Sequence, residues 1–120
     1  MAVEDGAVLG HLLGKLQNHD TQNNRRPNKV LIPELLVLYE KLRKSRTAVN
    51  VQGAVQMRAF YHLPDGPLQE ERDDLLQDLD LSTSSCKWNW GDAQYQKALM
   101  GFDSVVDAAE QFDRWIECQV

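Results

Sequence analysis

The sequence lacks the features that mark membrane, secreted and nucleic-acid-binding proteins. It contains no apolar run of about 18 residues, the length that suggests a helix crossing a bilayer. Its N-terminus has no basic stretch, and its apolar residues there are interrupted by acidic residues and glycines, so neither a signal peptide nor a membrane span is predicted. Basic residues are outnumbered 13 to 18, and the net charge of −5 argues against general binding to phosphate backbones. We therefore expect a soluble, cytoplasmic protein.

Cysteine is scarce, and motifs for metal binding or nucleophilic catalysis are absent. Cys86 and Cys118 have no CxxC or Cys/His ligand spacing, which favours free thiols over a disulfide or a metal site. The acidic run of residues 65–80 lacks the glycine and the bidentate glutamate of an EF-hand loop. His62 has no nucleophile or carboxylate partner nearby in the sequence, which favours a helix-end histidine over a general base. We predict no catalytic and no metal-binding residue.

Residues 1–16, MAVEDGAVLGHLLGKL, form the most informative segment of the chain. Four leucines share one side of the predicted helix, and a narrow polar stripe occupies the opposite side. Small residues recur every four positions on a third side, at a cost of about 1 kcal/mol per glycine relative to alanine. This small-residue row favours close docking of a second body, although a neutral scatter of glycines is the alternative. The leucines are Leu9, Leu12, Leu13 and Leu16, the polar stripe is Glu4, His11 and Lys15, and the small-residue row is Ala2, Gly6, Gly10 and Gly14.

Asp5 does not fit the polar stripe, because its position falls among the leucines. A carboxylate on an apolar side persists when it is hydrogen-bonded or paired, so we expect Asp5 to meet backbone N–H groups or a cation near the helix start. The alternative is an acidic residue at the edge of the first turn, where the helix dipole favours it. In both interpretations the first residues of the helix present backbone N–H groups that can bind an anion.

The rest of the chain predicts a mainly α fold of three to four helices with long loops. Residues 17–32 are rich in turn formers and predict a loop, in which Arg25, Arg26 and Lys29 belong to a solvated turn. Residues 33–63 predict a long helix that starts at Pro33 and bends near 47–51. Residues 64–87 predict an acidic linker that begins with a tight Pro-Asp-Gly turn at 64–66, and 88–117 a Trp-rich helical tail interrupted near Gly101. The apolar register predicted for the tail is Tyr95, Leu99, Phe102, Val106, Ala109 and Phe112 or Asp113. On the long helix we expect the basic residues to lie on the solvated side, with a cationic docking face as the alternative. These basic residues are Lys41, Arg43, Lys44 and Arg46.

Several stretches resemble FAD-dependent aromatic hydroxylases, the salicylate hydroxylase-like flavoprotein monooxygenases. Members of that family typically read Gly-Ala-x-Met-Ala-x-Glu-Asp-Ala after a Gly-Asp-Ala flavin motif. Met1, Ala2, Glu4 and Asp5 match this pattern, whereas Gly6 replaces its last alanine. Leu-x-x-Tyr-Glu-x-Leu-Arg-x-x-Arg-Thr-Ala over 36–48, Tyr-His-Leu-Pro-Asp-Gly-Pro over 61–67, and Trp-x-Trp-Gly-Asp with Gly-Phe-Asp-x-x-x-Asp-Ala near the C-terminus are similar to later parts of the family.

The resemblance implies a cofactor-binding role for the first two residues. In such an enzyme the backbone amides at Met1 and Ala2 would face the pyrimidine edge of FAD, where the helix dipole stabilises negative charge on the reduced ring. The parent would use NAD(P)H and O₂ to hydroxylate an aromatic acid such as salicylate, with the protein positioning the cofactor that performs the chemistry.

The dinucleotide fingerprint G-x-G-x-x-G after a strand is absent, and Gly6, Gly10 and Gly14 have the wrong spacing for it. The chain therefore resembles the C-terminal helical part of a monooxygenase whose α/β FAD-binding body is missing. We expect a single C-terminal segment, truncated and catalytically silent alone, whose partner is the missing FAD-binding domain or another protein that contacts the first helix. The alternative is a non-enzymatic helical interaction module.

Overall fold

The computed structural model describes residues 1–23 and 28–119, and within these ranges the regular structure is helical. The prediction of a mainly α fold is confirmed, with five α-helices instead of three to four, and no strand occurs among the described residues. No helix in this part of the chain is long and apolar enough to cross a membrane. The helices are α1 (Ala2–Asn23), α2 (Asn28–Tyr61), α3 (Pro67–Gln77), α4 (Ala93–Met100) and α5 (Ser104–Glu117), with a short 3-10 turn at Asn89–Gly91.

The prediction of a loop over residues 17–32 is wrong at both ends of that range. Helix α1 continues to Asn23 and α2 already begins at Asn28. A helix that has formed gains one backbone hydrogen bond per added residue, so polar composition alone does not end it. Arg25 and Arg26 of the predicted turn lie outside the described residues, and Lys29 is an exposed residue of α2.

Pro33 lies inside α2 and not at its first position. A proline beyond the first turn removes an intrahelical hydrogen bond, so an earlier helix start needs compensation. Leu31 and Leu35 provide it, because they flank Pro33 and are only 2% and 0% exposed. The helix is also continuous through 47–51.

The acidic segment 64–87 contains helix α3, so the prediction of a linker over its whole length is wrong. Pro67 occupies the first turn of α3, where its missing N–H has no cost, and Gly66 precedes it with φ of 143°. This positive φ confirms the turn predicted from Pro-Asp-Gly. None of the residues of α3 is buried, in keeping with its acidic composition.

The chain forms two compact units, and the boundary between them falls within α2. The first unit comprises Met1–Ala48 and the chain from Asp103 onward, and the second comprises Val49–Phe102. The core of the first unit is built by three helices, each contributing residues about four positions apart. These are Val8, Leu12 and Leu16 of α1, Leu31 and Leu35 of α2, and Ala108, Phe112 and Ile116 of α5.

The predicted interruption near Gly101 is present, and Phe112 is buried as one of the two predicted alternatives, but the predicted apolar register is wrong at Phe102 and Val106. Helix α4 ends at Met100, and α5 starts anew at Ser104 with Asp103 as its N-cap. Because the new helix has its own register, Phe102 and Val106 are 43% and 53% exposed, while Ala108 and Phe112 are buried.

The second unit has a small aromatic centre at the end of α2. Phe60 is buried and packs edge-on against Trp88, with ring centroids 4.9 Å apart. Arg72 of α3 donates to the carbonyl oxygen of Phe60 at 2.9 Å, and its guanidinium lies 5.5 Å from the Phe60 ring centroid. Both contacts attach α3 to the C-terminal end of α2.

Candidate functional site

The opening turn of α1, defined here as residues 2–5, has backbone donors that the helix itself does not use. The first intrahelical hydrogen bond runs from the Asp5 amide to the Met1 carbonyl oxygen at 2.8 Å. The amides of Ala2, Val3 and Glu4 precede it, and the first N–H groups of any helix have no partner within the helix. Met1 and Ala2, the predicted cofactor-binding residues, are both exposed at this end.

The carboxylates of the opening turn bind two arginines of α2. Arg43 donates from Nε to Asp5 Oδ1 at 2.7 Å and from Nη1 to Glu4 Oε1 at 2.6 Å. Arg46 donates to both oxygens of Glu4, at 2.5 and 3.3 Å. The expectation that Asp5 meets a cation is therefore confirmed, and two carboxylates are matched by two guanidinium groups.

The placement of Arg43 on a solvated side is wrong, because Arg43 is only 5% exposed. Arg46 is half-buried, whereas Lys41 and Lys44 are exposed as predicted. A sequence signal for Arg43 exists in retrospect: it continues the four-residue spacing of Leu31, Leu35 and Tyr39 along the side of α2 that packs on the core. A basic residue at such a position indicates a buried partner of opposite charge.

Electrostatics at this site favour the charged forms of the paired groups. Burial alone would raise the pKa of Glu4, but hydrogen bonds and charge from Arg46 and Arg43 outweigh it and hold that pKa below its ordinary value. Burial likewise opposes the charged form of Arg43, yet its hydrogen bonds to Asp5 and Glu4 raise its pKa above the ordinary value. The charged forms of Glu4 and Arg43 are therefore both favoured at neutral pH.

This arrangement leaves the helix end suited to an external acceptor. The oxygens of Glu4 accept from guanidinium groups, and the charge of Asp5 is matched by Arg43. The positive end of the helix dipole and the amides at 2–4 favour a carbonyl or anionic acceptor.

The small-residue row of α1 has no neighbour within the described chain. A Cβ built on Gly6, Gly10 or Gly14 meets nothing within 4 Å. The leucines behave differently, because Leu12 and Leu16 are buried in the core of the first unit and Leu13 is 38% exposed. Val8 completes the buried side of α1 and was missed by the prediction, which placed Leu9 and Leu13 there.

No group of three His, Cys, Asp or Glu side chains that could hold a metal ion occurs within residues 1–19 and 29–119. Cys86 and Cys118 are free thiols, as predicted. His62 follows the end of α2 and is exposed.

Comparison with known proteins finds a relative that matches most of this chain. The FAD-dependent monooxygenase OpS4 of Beauveria bassiana (strain ARSEF 2860) is 35% identical over 107 residues, which cover 89% of this chain. The chain is related to a flavin monooxygenase. It spans 23% of the length of that relative. No protein-family model matches the chain, and no solved structure matches it.

Proposed function

We propose that this chain is the C-terminal helical segment of an FAD-dependent monooxygenase that hydroxylates an aromatic acid such as salicylate with NAD(P)H and O₂. The relationship to an FAD-dependent monooxygenase over 89% of the chain carries the proposal. The motifs over 1–6 and 61–67 favour the salicylate hydroxylase-like branch, and the absence of G-x-G-x-x-G assigns nucleotide binding to another part of the parent.

Within the parent, the opening turn of α1 contacts the cofactor. FAD supplies the redox chemistry when bound, and the chain supplies position and charge. The amides at Met1 and Ala2 donate toward the pyrimidine edge, and the helix dipole favours negative charge there. The small-residue row of α1 then faces the FAD-binding body, since it has open space in front of it in the described chain.

Two measurements test this proposal. Sequencing the transcript around Met1 should reveal an in-frame Gly-Asp-Ala motif and a dinucleotide fingerprint upstream, and the longer product should retain FAD and oxidise NADH faster when salicylate is added than without it. The chain of 120 residues alone should show no turnover. Micromolar FAD affinity together with turnover by this chain alone would contradict the proposal.

A non-enzymatic helical interaction module is the second candidate. The open space beside Gly6, Gly10 and Gly14 favours it equally, because a partner of any kind could approach the helix closely there. A stop codon and a promoter directly upstream of Met1 would support the module over the monooxygenase.

A further inference from the structure

The opening turn of α1 has no buried apolar contact of its own. None of residues 1–7 is buried, Val3 is 89% exposed, and the first buried apolar side chain is Val8. A helix end without such contacts frays readily, since local opening there needs little free energy. Some other interaction must fix this turn if it is to present its amides in one direction.

Arg43 has the geometry to do so. Its side chain is buried, and it binds two consecutive residues of α1 through different nitrogens, Nε to Asp5 and Nη1 to Glu4. Consecutive helical positions lie about 100° apart around the axis, so one rigid planar group that holds both carboxylates fixes the rotation of the turn as well as its position. Arg46 binds Glu4 from the next turn of α2.

We propose that Arg43 is a positioning residue, which orders the opening turn of α1 and so fixes the direction of its free amides. The proposal rests on the proposed function for the identity of the group that those amides meet. Replacing Arg43 removes the guanidinium that binds Asp5 at 2.7 Å and one of the two guanidinium groups that bind Glu4. The turn then loses the contact that determines its rotation, while the core contacts of Leu12 and Leu16 remain.

Amide hydrogen exchange in the isolated full chain tests the ordering directly. In Arg43→Gln, exchange at the Asp5 amide should rise by about tenfold or more, while the amides of Leu12 and Leu16 change little. Exchange at the Asp5 amide in Arg43→Lys should fall between the rates of the wild type and Arg43→Gln. An ammonium group keeps the charge but cannot span both carboxylates as the planar guanidinium does. Lys44→Gln is the matched control, since Lys44 is exposed, neighbours Arg43 and pairs only loosely with Glu40 at 3.8 Å.

Two results would overturn the proposal: unchanged exchange at Asp5 in Arg43→Gln, or an equal increase along all of α1, which indicates a general stability effect. If Arg43→Gln does not fold, the isosteric Asp5→Asn removes one of the two charges and should raise exchange at the same amide. None of these measurements needs flavin.

The cofactor adds a separate readout in the longer FAD-containing product. There, Arg43→Gln should weaken FAD binding by about tenfold, the equivalent of one hydrogen bond, and Lys44→Gln should leave it unchanged. If the wild-type product holds no FAD, the proposed function fails, and the exchange experiment still decides the role of Arg43. If FAD affinity is equal in both variants, Arg43 does not position a flavin-binding turn.

Discussion

At the scale of single residues, the first unit combines two kinds of buried group with different physics. Leu12 stabilises the fold because its apolar side chain is removed from water, and this contribution depends little on pH or on a charged partner. Arg43 is tolerated in the interior because two carboxylates bind it, so its contribution depends on their ionisation. The two kinds of group therefore respond to different perturbations.

Leu12→Ala should lower the free energy of unfolding by about 2–5 kcal/mol, because Leu12 is 0% exposed and the substitution leaves a cavity among α1, α2 and α5. Urea denaturation followed by circular dichroism measures the change. Leu13→Ala, at a neighbouring position that is 38% exposed, is the control and should cost less than about 1 kcal/mol. Equal losses in both variants would show that the assigned buried side of α1 is wrong.

Glu4→Gln should lower stability at neutral pH and lose this effect in acid. The folded-state pKa of Glu4 lies below its unfolded value, so the ionised side chain contributes stability above about pH 4.3. That contribution disappears as pH falls through the folded-state pKa. The difference in free energy of unfolding between wild type and Glu4→Gln should therefore be largest above about pH 5 and shrink steadily below about pH 4.

The measurement is a set of urea titrations between neutral and acidic pH. Glu40→Gln serves as the control, because Glu40 and Lys44 form an exposed pair 3.8 Å apart, which contributes little at any pH. A wild-type to Glu4→Gln difference that is constant across the pH range would exclude the assigned ion pairs.

At the scale of elements, local sequence signals decide where the helices begin and end, and packing decides which side of each helix is buried. Asp92 and Asp103 begin α4 and α5 by accepting hydrogen bonds from amides of the next turn, a pattern that local sequence encodes. The glycines of α1 show the opposite situation, because nothing in the described chain requires them. Substitutions in α1 can therefore separate the stability of this helix from its proposed docking function.

Gly10→Ala should raise the stability of the isolated chain by up to about 1 kcal/mol, because alanine favours the helix and its Cβ meets nothing within 4 Å. The midpoint of thermal unfolding reports the gain. Gly101→Ala is the contrasting variant and should be destabilising, since its Cβ would lie 2.6 Å from the Lys97 carbonyl oxygen. A loss of stability in Gly10→Ala would contradict the open space assigned beside Gly10.

Asp103→Ala should cost about 1 kcal/mol, because the Asp103 carboxylate accepts from the amides of Val105 and Val106, each at 3.0 Å. Asp103→Asn keeps an acceptor oxygen and should retain most of the stability. Chemical denaturation of the two variants, side by side, separates capping from charge. Equal losses would assign the effect to the charge near the helix dipole.

At the scale of the whole molecule, the chain combines a helical core with a helix side that stays open. The relative spans more than four times the matched length, since the match covers 23% of it. In our proposal the additional part of such an enzyme covers the small-residue row of α1. A larger side chain on this row should therefore maintain or raise the stability of the isolated chain. The same side chain should weaken assembly with the additional part of the enzyme.

Gly10→Leu tests this opposition. In the isolated chain a Cβ at position 10 meets nothing within 4 Å and leucine favours the helix more than glycine does, so the thermal midpoint should not fall. In the longer product the same side chain should block close approach of the FAD-binding body, which should reduce bound FAD measured by absorbance after purification. Lys44→Leu, on an exposed position of α2, controls for the added apolar surface. Full FAD content in Gly10→Leu would exclude docking through the row.

The sequence by itself determined the helical class, the turn at Gly66 and the break near Gly101, and it indicated that Asp5 meets backbone N–H groups or a cation, because propensity, capping and burial cost act over a few residues. It did not determine that Arg43 is that cation, that α1 and α2 extend into the supposed loop, or that Ala108 rather than Val106 is buried. Those outcomes depend on which helix faces which, and charges 38 residues apart meet only after the core of α1, α2 and α5 has formed. Packing between distant segments therefore fixed the geometry of the opening turn.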